Sequence, residues 1–528
     1  MAQPMLCPTY LMPAGYTKPS GYLLRRPNET FPKSMPPLKQ TVEEQFETVR
    51  RRFDTAGHAL YSPYQEEGVK WMLSKEAEPI QNRGGLLCDE MGLGKTIQMI
   101  ATIVGNPLRK TLLIVPRSII QQWESAIQTF ASNLRVYIHH GPNKKRDLIT
   151  LQLDPFDVCI TSYGTICPRD DEDDTILHKI TWDRVVLDEC HNIKNRNAKR
   201  HKQSVELKTS IRWGLTGTPV QNSLKDFKNL MGYITDSRMD WLTAANLRET
   251  ALKYILRRTK EDVSKYNDVL KLPPLHVKIV ELDFETAEES SFYKQVTAEV
   301  AKDLKRIADY DSANMVYACI FEQILRLRQA CIHPQLVIDG YTKKDGESNF
   351  PDWTGSTTKF NELINLIEKE KSESAIVFYQ FEAEGQDIMS RLHGLNYKAR
   401  ILNGSTSMAR RREIMTECPT LDVLVIQIQS GSEGINLQMF SRIFFTSPSW
   451  VPAIEDQAIA RAHRIGQKKP VKVYKLVMKS DDDRPTIEQK IITIQEKKRI
   501  IMANVLGDER VKRNGMRTTL KDLKFLCR

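Results

Sequence analysis

From about residue 64 the chain alternates short apolar runs with amphipathic stretches. The runs are Leu86-Leu-Cys88, Thr111-Leu-Leu-Ile-Val115, Asp157-Val-Cys-Ile160, Arg184-Val-Val-Leu187 and Trp213-Gly-Leu215. Apolar strands separated by helices predict a parallel sheet covered on both faces. The pattern returns in Ala375-Ile-Val-Phe378, Val423-Leu-Val-Ile426, Arg442-Ile-Phe-Phe445 and Val471-Lys-Val-Tyr474. Between the two sets, residues 236–345 carry helical periodicity, as in Ile320–Arg328, and no strand-like run. The N-terminal stretch is rich in proline (Pro4, Pro8, Pro13, Pro19, Pro27, Pro32, Pro36, Pro37) and has no apolar period. It reads as an extended arm. The expected order is therefore an arm (1–50), an α/β lobe (51–235), a helical insert (236–345), a second α/β lobe (346–495) and a tail (496–528).

Composition narrows the class. With 528 residues, 41% of them hydrophobic, and a mean hydropathy of −0.43, a disordered chain and a membrane-spanning one are both excluded. The N-terminus lacks a charged segment followed by an apolar core, so no signal peptide is expected. Nine cysteines, at 7, 88, 159, 167, 190, 319, 331, 418 and 527, form no Cys-x-x-Cys pair. That spacing suits neither a zinc module nor a disulfide framework and points to a reducing compartment.

Charge adds a partner class. Lys+Arg number 77 against 66 acids, a net charge of +11. Residues 497–528 hold ten basic groups and three acids, so +7 of it sits there. A second cluster runs from Lys194 through Arg196, Lys199 and Arg200 to Lys202. Such patches can neutralise phosphates and release counterions, and equally can be solvated helix faces or a nuclear import signal.

Two motifs carry chemistry. In Asp89-Glu90-Met91-Gly92-Leu93-Gly94-Lys95-Thr96 an apolar strand enters a glycine-bearing loop that opens a helix. Backbone N–H groups of such a loop can cradle phosphates, with Lys95 on the β/γ-phosphates and the Thr96 hydroxyl on Mg²⁺. The strict phosphate-loop pattern has glycine where Asp89 stands. In Arg184-Val-Val-Leu-Asp188-Glu189-Cys190-His191 a strand ends in two adjacent carboxylates. Asp188 at the strand end could hold the Mg²⁺ hydration shell and Glu189 could act as general base on water. His139-His140, with no third ligand nearby, reads as a loop-edge pair rather than a metal site, and Trp71 and Trp123 read as packing residues.

These residues resemble the Snf2 family of superfamily 2 helicase-like ATPases, over about residues 58–500 and in the family's order. Ser62-Pro-Tyr-Gln65 through Trp71 looks like the adenine-recognising glutamine motif. An acid at Asp89 is normal in the family's phosphate loop. Leu113-Ile-Val-Pro116 and Ile160-Thr161-Ser162-Tyr163 are similar to motifs that touch the nucleic-acid backbone, as are Lys194 and Asn195 beside Asp-Glu-Cys-His. Leu215-Thr-Gly-Thr-Pro-Val-Gln-Asn222, Leu256-Arg-Arg-Thr-Lys260, Leu325-Arg-Leu-Arg328 through Pro334, and Gln457 through Gln467 follow in sequence. In the motif with Gly434 and Asn436, Ser432-Glu433 replaces the usual small residues.

The resemblance implies two RecA-like lobes with parallel sheets, joined by a helical Snf2-type insert. It implies ATP, with Mg²⁺, held by Gln65, residues 89–96, Gly434 and Asn436. Lys95, Asp188, Glu189, Arg461 and Arg464 would be catalytic, the arginines acting from the second lobe. The implied activity is ATP-driven translocation on double-stranded DNA that remodels nucleosomes or displaces DNA-bound proteins. It would act in the nucleus or a viral replication compartment, alone or within a larger complex, and away from membranes. A DExH helicase unwinding RNA or DNA, and a DNA-binding scaffold with an inactive ATPase fold, stay open as alternatives.

Overall fold

A computed structural model describes residues 40–60, 63–79, 83–141, 156–168, 175–221, 223–235, 253–265, 272–307, 313–346, 348, 350–355, 357–431, 435–464, 466–480 and 484–506. The acidic stretches 170–174 and 481–483, and the tail beyond 506, lie outside the described residues.

Seven strands build the first sheet: β1 Gly84–Leu87, β2 Thr111–Val115, β3 Val136–Ile138, β4 Val158–Ser162, β5 Thr181–Asp188, β6 Lys208–Leu215 and β7 Ile255–Leu256. Their order is β3-β4-β2-β5-β6-β1-β7, and every pairing is parallel. The apolar runs form the central strands because both faces are covered: β1, β2 and β4 are buried along their whole length. On one face Met99, Ile103, Trp123 and Ile127 pack from helices Lys95–Gly105 and Ile120–Phe130. On the other lie Leu177, Trp182, Phe227 and Met231.

One buried ion pair sits inside this lobe. Arg184 Nε and Nη2 donate to the two oxygens of Glu76 at 2.6 and 2.5 Å, and neither side chain has solvent exposure. Trp213 Nε1 and Asn106 Nδ2 donate to the same carboxylate at 2.8 and 2.6 Å. A charge that deep survives only with such complete pairing.

The second sheet contains β8 Leu275–Leu282, β9 Ala375–Tyr379, β10 Ala399–Leu402, β11 Val423–Gln427, β12 Arg442–Phe445 and β13 Val471–Met478. It is again wholly parallel, in the order β10-β11-β9-β12-β13-β8. The described parts form the two-lobed α/β architecture expected.

Three expectations need correction. Residues 236–345 are not free of strands: β7 closes the first sheet and β8 pairs with all eight residues of β13. Both escaped notice because β7 has two residues and β8 alternates apolar with His276, Lys278 and Glu281 instead of running apolar. The helices of the insert are not a separate body either. Val296, Ile324, Leu327 and Val337 share one core with Met478, Ile487, Ile491 and Ile494 of the second lobe. The arm expected over residues 1–50 does not extend through its last residues, since Val42–Thr55 is a helix with a Thr41/Glu44 capping box and buried Phe46, Val49 and Phe53; residues 1–39 lie outside the described residues.

Helix Ile487–Leu506 carries Lys498 back towards the first lobe. Its ammonium donates to Trp450 O at 2.8 Å and lies 4.7 Å from the Trp450 ring centroid. Burial, reinforced by the positive charge of Lys194, pulls its pKa down to about 8. An unfolded lysine titrates near 10.4, so between pH 8 and about 10.4 the unfolded chain binds the extra proton. Stability therefore gains from this group as pH rises through that window. Chemical denaturation of wild type and Lys498→Met at pH 7 and 10 should show wild type improving relative to the mutant by on the order of 2 kcal/mol.

Candidate active site

The phosphate loop leaves the carboxyl end of β1, and Asp188-Glu189 the carboxyl end of β5 on the same edge of the sheet. Loops at that edge are where parallel sheets place ligands. Gly94 caps helix Lys95–Gly105 at φ +78°, and a Cβ there would come within 2.4 Å of Gln65 Nε2. Only glycine fits this left-handed turn. With no capping side chain at Gly94, the positive end of the helix dipole faces the cleft open to an anion.

The loop is held from beneath. Leu93 O accepts from Tyr64 Oη and Gln65 Nε2, both at 3.2 Å. Glu90 Oε2 accepts from Lys260 N at 2.8 Å. Lys95 Nζ folds back onto Asp89 O at 2.8 Å. Asp89 does not enter the cleft: its fully buried carboxylate takes Arg258 Nε at 3.0 Å, Arg258 Nη2 at 2.5 Å and Gln98 Nε2 at 3.0 Å. That carboxylate anchors the loop to the segment after β7 and does not line the cleft.

Asp188 Oδ2 accepts from Trp123 Nε1 at 2.7 Å and Oδ1 from the Glu189 amide at 2.9 Å. Glu189 adopts φ 49°, ψ 52°, a left-handed conformation uncommon for a side-chain-bearing residue and typical of functional sites. Its Oε2 lies 3.3 Å from His191 Nδ1, which is 3.2 Å from Thr216 Oγ1. The two neighbouring carboxyls are driven apart. Burial and the Glu189 charge push Asp188 up to about 6, against Trp123 and Lys95. Burial also opposes ionisation of Glu189, but His191, Lys95 and Arg461 together outweigh it and hold that carboxyl below its usual range. Of the two acids, Glu189 is therefore the more readily ionised.

The second lobe completes the site. Arg461, from helix Pro452–Ala462, and Arg464 line one cleft of about 390 Å³ together with Gln65, Met91, Gly92, Gly94, Lys95, Thr96, Asp188 and Glu189. Burial and the neighbouring Arg461 lower the pKa of Arg464. Thr96 and Asp188, one hydroxyl and one carboxylate, suit a hydrated Mg²⁺ that takes its other ligands from phosphates and water. Among the described residues no group of three or more His, Cys, Asp or Glu side chains could hold a metal. Glu189 Oε2 is buried at the cleft, with His191 Nδ1 at 3.3 Å as its neighbour.

Other expected residues lie nearby without lining the cleft. Asn436 is exposed, with Oδ1 3.4 Å from Gln438 N; Gly434 and Glu433 lie outside the described residues. Pro116, Thr161-Ser162 and Lys194-Asn195 sit at or just beyond the ends of β2, β4 and β5, on the edge that carries the phosphate loop. Thr161 is buried and donates to His139 O at 2.8 Å, and Pro116 is buried too. Ser162 Oγ is 2.9 Å from Thr165 Oγ1. Lys194 bonds Gln221, and Asn195 is exposed. Trp123 is more than packing, since its indole N–H holds Asp188. Its polar neighbours Gln122 and Glu124 are the sequence hint to that role.

Residues 64–336 match the model of the SNF2-related domain, and residues 358–466 that of the helicase conserved C-terminal domain. YwqA of Bacillus subtilis, named for an ATP-dependent helicase/translocase, is 30% identical over 480 residues, which are 85% of this chain and 49% of that protein. The human DNA excision repair protein ERCC-6 is 28% identical over 510 residues, 85% of this chain and 32% of that protein. The chain thus spans about half the length, or less, of these relatives. A solved Sulfolobus solfataricus SWI2/SNF2 ATPase core in complex with dsDNA is 26% identical. It covers 87% of this chain and 97% of its own, with a TM-score of 0.37.

Proposed function

The chain belongs to the SNF2-related family, and from that premise we propose that it hydrolyses ATP to move along double-stranded DNA, remodelling nucleosomes or displacing other bound proteins. The observation that carries the reading is a single cleft lined by Lys95, Thr96, Asp188 and Glu189 from one lobe and by Arg461 and Arg464 from the other. Relatives named as a helicase/translocase and a DNA repair protein support a DNA track, as does the charge of +11.

In this reading Lys95 leaves its loop carbonyl for the β/γ-phosphates, and Gly92–Thr96 wrap them. Thr96 and Asp188 hold a Mg²⁺, which when bound neutralises phosphate charge. Glu189 orients and deprotonates the attacking water. Charge then grows on the oxygens of the transferred phosphoryl group, and the two guanidinium groups are the donors placed to meet it. Those donors belong to the opposite lobe, so ATP favours the closed cleft and its hydrolysis releases it. If each lobe grips the phosphodiester backbone, closure and release become steps along the duplex.

The test compares ATPase rates without nucleic acid and with duplex DNA, single-stranded DNA or structured RNA. Strong stimulation by duplex, weakening with salt as phosphate contacts release counterions, is the expected result. Equal rates with and without duplex would refute the reading. Preference for single strands or RNA would favour an unwinding helicase instead.

A further inference from the structure

The segment that follows β7 touches three parts of the cleft at once. Leu256 O accepts from Cys88 N at 2.7 Å and Arg258 O from Glu90 N at 2.8 Å, so the segment runs along the phosphate loop like an added strand. Arg257 Nη1 donates to Gly217 O at 3.4 Å, in the loop after β6. Lys260, at the end, reaches out of its own lobe. Its Nζ donates to His463 O at 2.9 Å while lying 3.6 Å from Glu90 Oε1.

His463 immediately precedes Arg464 and ends the helix that carries Arg461. At the same place a Cβ on Gly92 would lie 3.6 Å from Arg464 Cβ and 3.8 Å from Lys260 Cε. The lysine stem is thus wedged between the phosphate loop and the backbone of the second-lobe arginine. Burial lowers its pKa, and Lys95 and Arg464 add to that; Glu90 opposes it. A cation kept among cations needs a reason to stay, and the His463 carbonyl and the Glu90 carboxylate are the acceptors that hold it.

We propose that Lys260 is a positioning residue: by tying Glu90 of the phosphate loop to His463, it fixes Arg464 over the nucleotide when the lobes are together. It does not line the cleft and touches no reacting atom in this geometry; it acts through Arg464. The inference rests on the reading that the arginines serve hydrolysis from the second lobe. Misplacing a group by about 1 Å can cost about 10²-fold in rate, so a lysine that sets such a position has a measurable effect.

The experiment uses the full chain with Lys260→Met, Lys260→Arg, Arg464→Ala and the Lys260→Met/Arg464→Ala double variant. Methionine keeps the stem and removes the ammonium; arginine can still bond both acceptors. DNA-stimulated kcat and KM, ATP affinity, melting temperature and amide exchange across residues 459–467 with a non-hydrolysable ATP analogue are measured together.

The expected result is a loss of kcat of about 10- to 100-fold in Lys260→Met with KM and melting temperature little changed. Exchange across residues 459–467 is expected to rise, and Lys260→Arg to recover most of the rate. The double variant should be no slower than Arg464→Ala, because the two substitutions remove one function. Wild-type turnover by Lys260→Met overturns the proposal, as do multiplying losses in the double variant. If Arg464→Ala itself turns over normally, the two-lobe reading fails; if Arg464→Ala is slow and Lys260→Met is not, only the role of Lys260 fails.

Discussion

Arg461→Ala and Arg464→Ala should each lower DNA-stimulated kcat by about 10³-fold or more while ATP affinity stays near that of the wild type. Both side chains come from the second lobe yet line the cleft with Lys95 and Glu189. On the proposed mechanism their contact with the phosphoryl oxygens would depend on closure and be strongest as charge develops, so their loss would belong to the transition state rather than to ground-state binding. Lysine at either position should rescue poorly, because a point charge lacks the planar fork of guanidinium. A helix that merely braces its lobe would behave differently, losing melting temperature and ATP affinity together. Nucleotide binding, kcat and melting temperature on the same preparations decide between the two. A variant that folds, binds ATP and turns over near the wild-type rate would remove that arginine from the mechanism.

Glu189→Gln is expected to bind ATP and stall, with hydrolysis reduced by about 10²- to 10⁴-fold. The substitution keeps the shape and one acceptor oxygen but cannot take a proton. The two adjacent acids also sit in different surroundings: His191, Lys95 and Arg461 hold the Glu189 carboxyl ionised despite its burial, whereas Asp188 is pushed up to about 6. Single-turnover measurement with pre-bound ATP isolates the chemical step, and substantial hydrolysis there would contradict the assignment. Lys95→Ala should differ in kind, weakening ATP binding itself, because in the proposed mechanism Lys95 would contact ground-state phosphates.

Most of the central strands of both lobes were legible because they are apolar runs. The run Thr111–Val115 became β2 with the same ends, and Arg442–Phe445 became β12 likewise. A strand ending in acids is common on its own, but Asp188-Glu189 gains meaning from its pairing with the glycine-bearing loop, and the structure places the two on one edge of the sheet. Three things were not legible. Edge strands such as β8 alternate polar with apolar residues and look like helix or loop in a linear reading. Long-range bonds leave no local trace: nothing near Asp89 in the sequence points to Arg258, 169 residues later, which binds its carboxylate. Trp123 carries two meanings at once, buried like any core aromatic and donating through its one polar atom to Asp188.

The pairing of β8 with β13 has a consequence for synthesis. Leu275 lies beside Val471, a separation of 471 − 275 = 196 residues. The first sheet, by contrast, is complete once Leu256 pairs with Leu87. On a ribosome the first lobe can close early, while β8 waits without a neighbour until β13 has been made. Leu275, Val277 and Ile279, which stay exposed even in the finished fold, are then an unpaired apolar strand in a half-made protein. Non-local parallel pairing is slow and leaves such edges open to other chains. Nascent chains stalled between residues 282 and 471 are therefore the form in which this molecule most needs a chaperone.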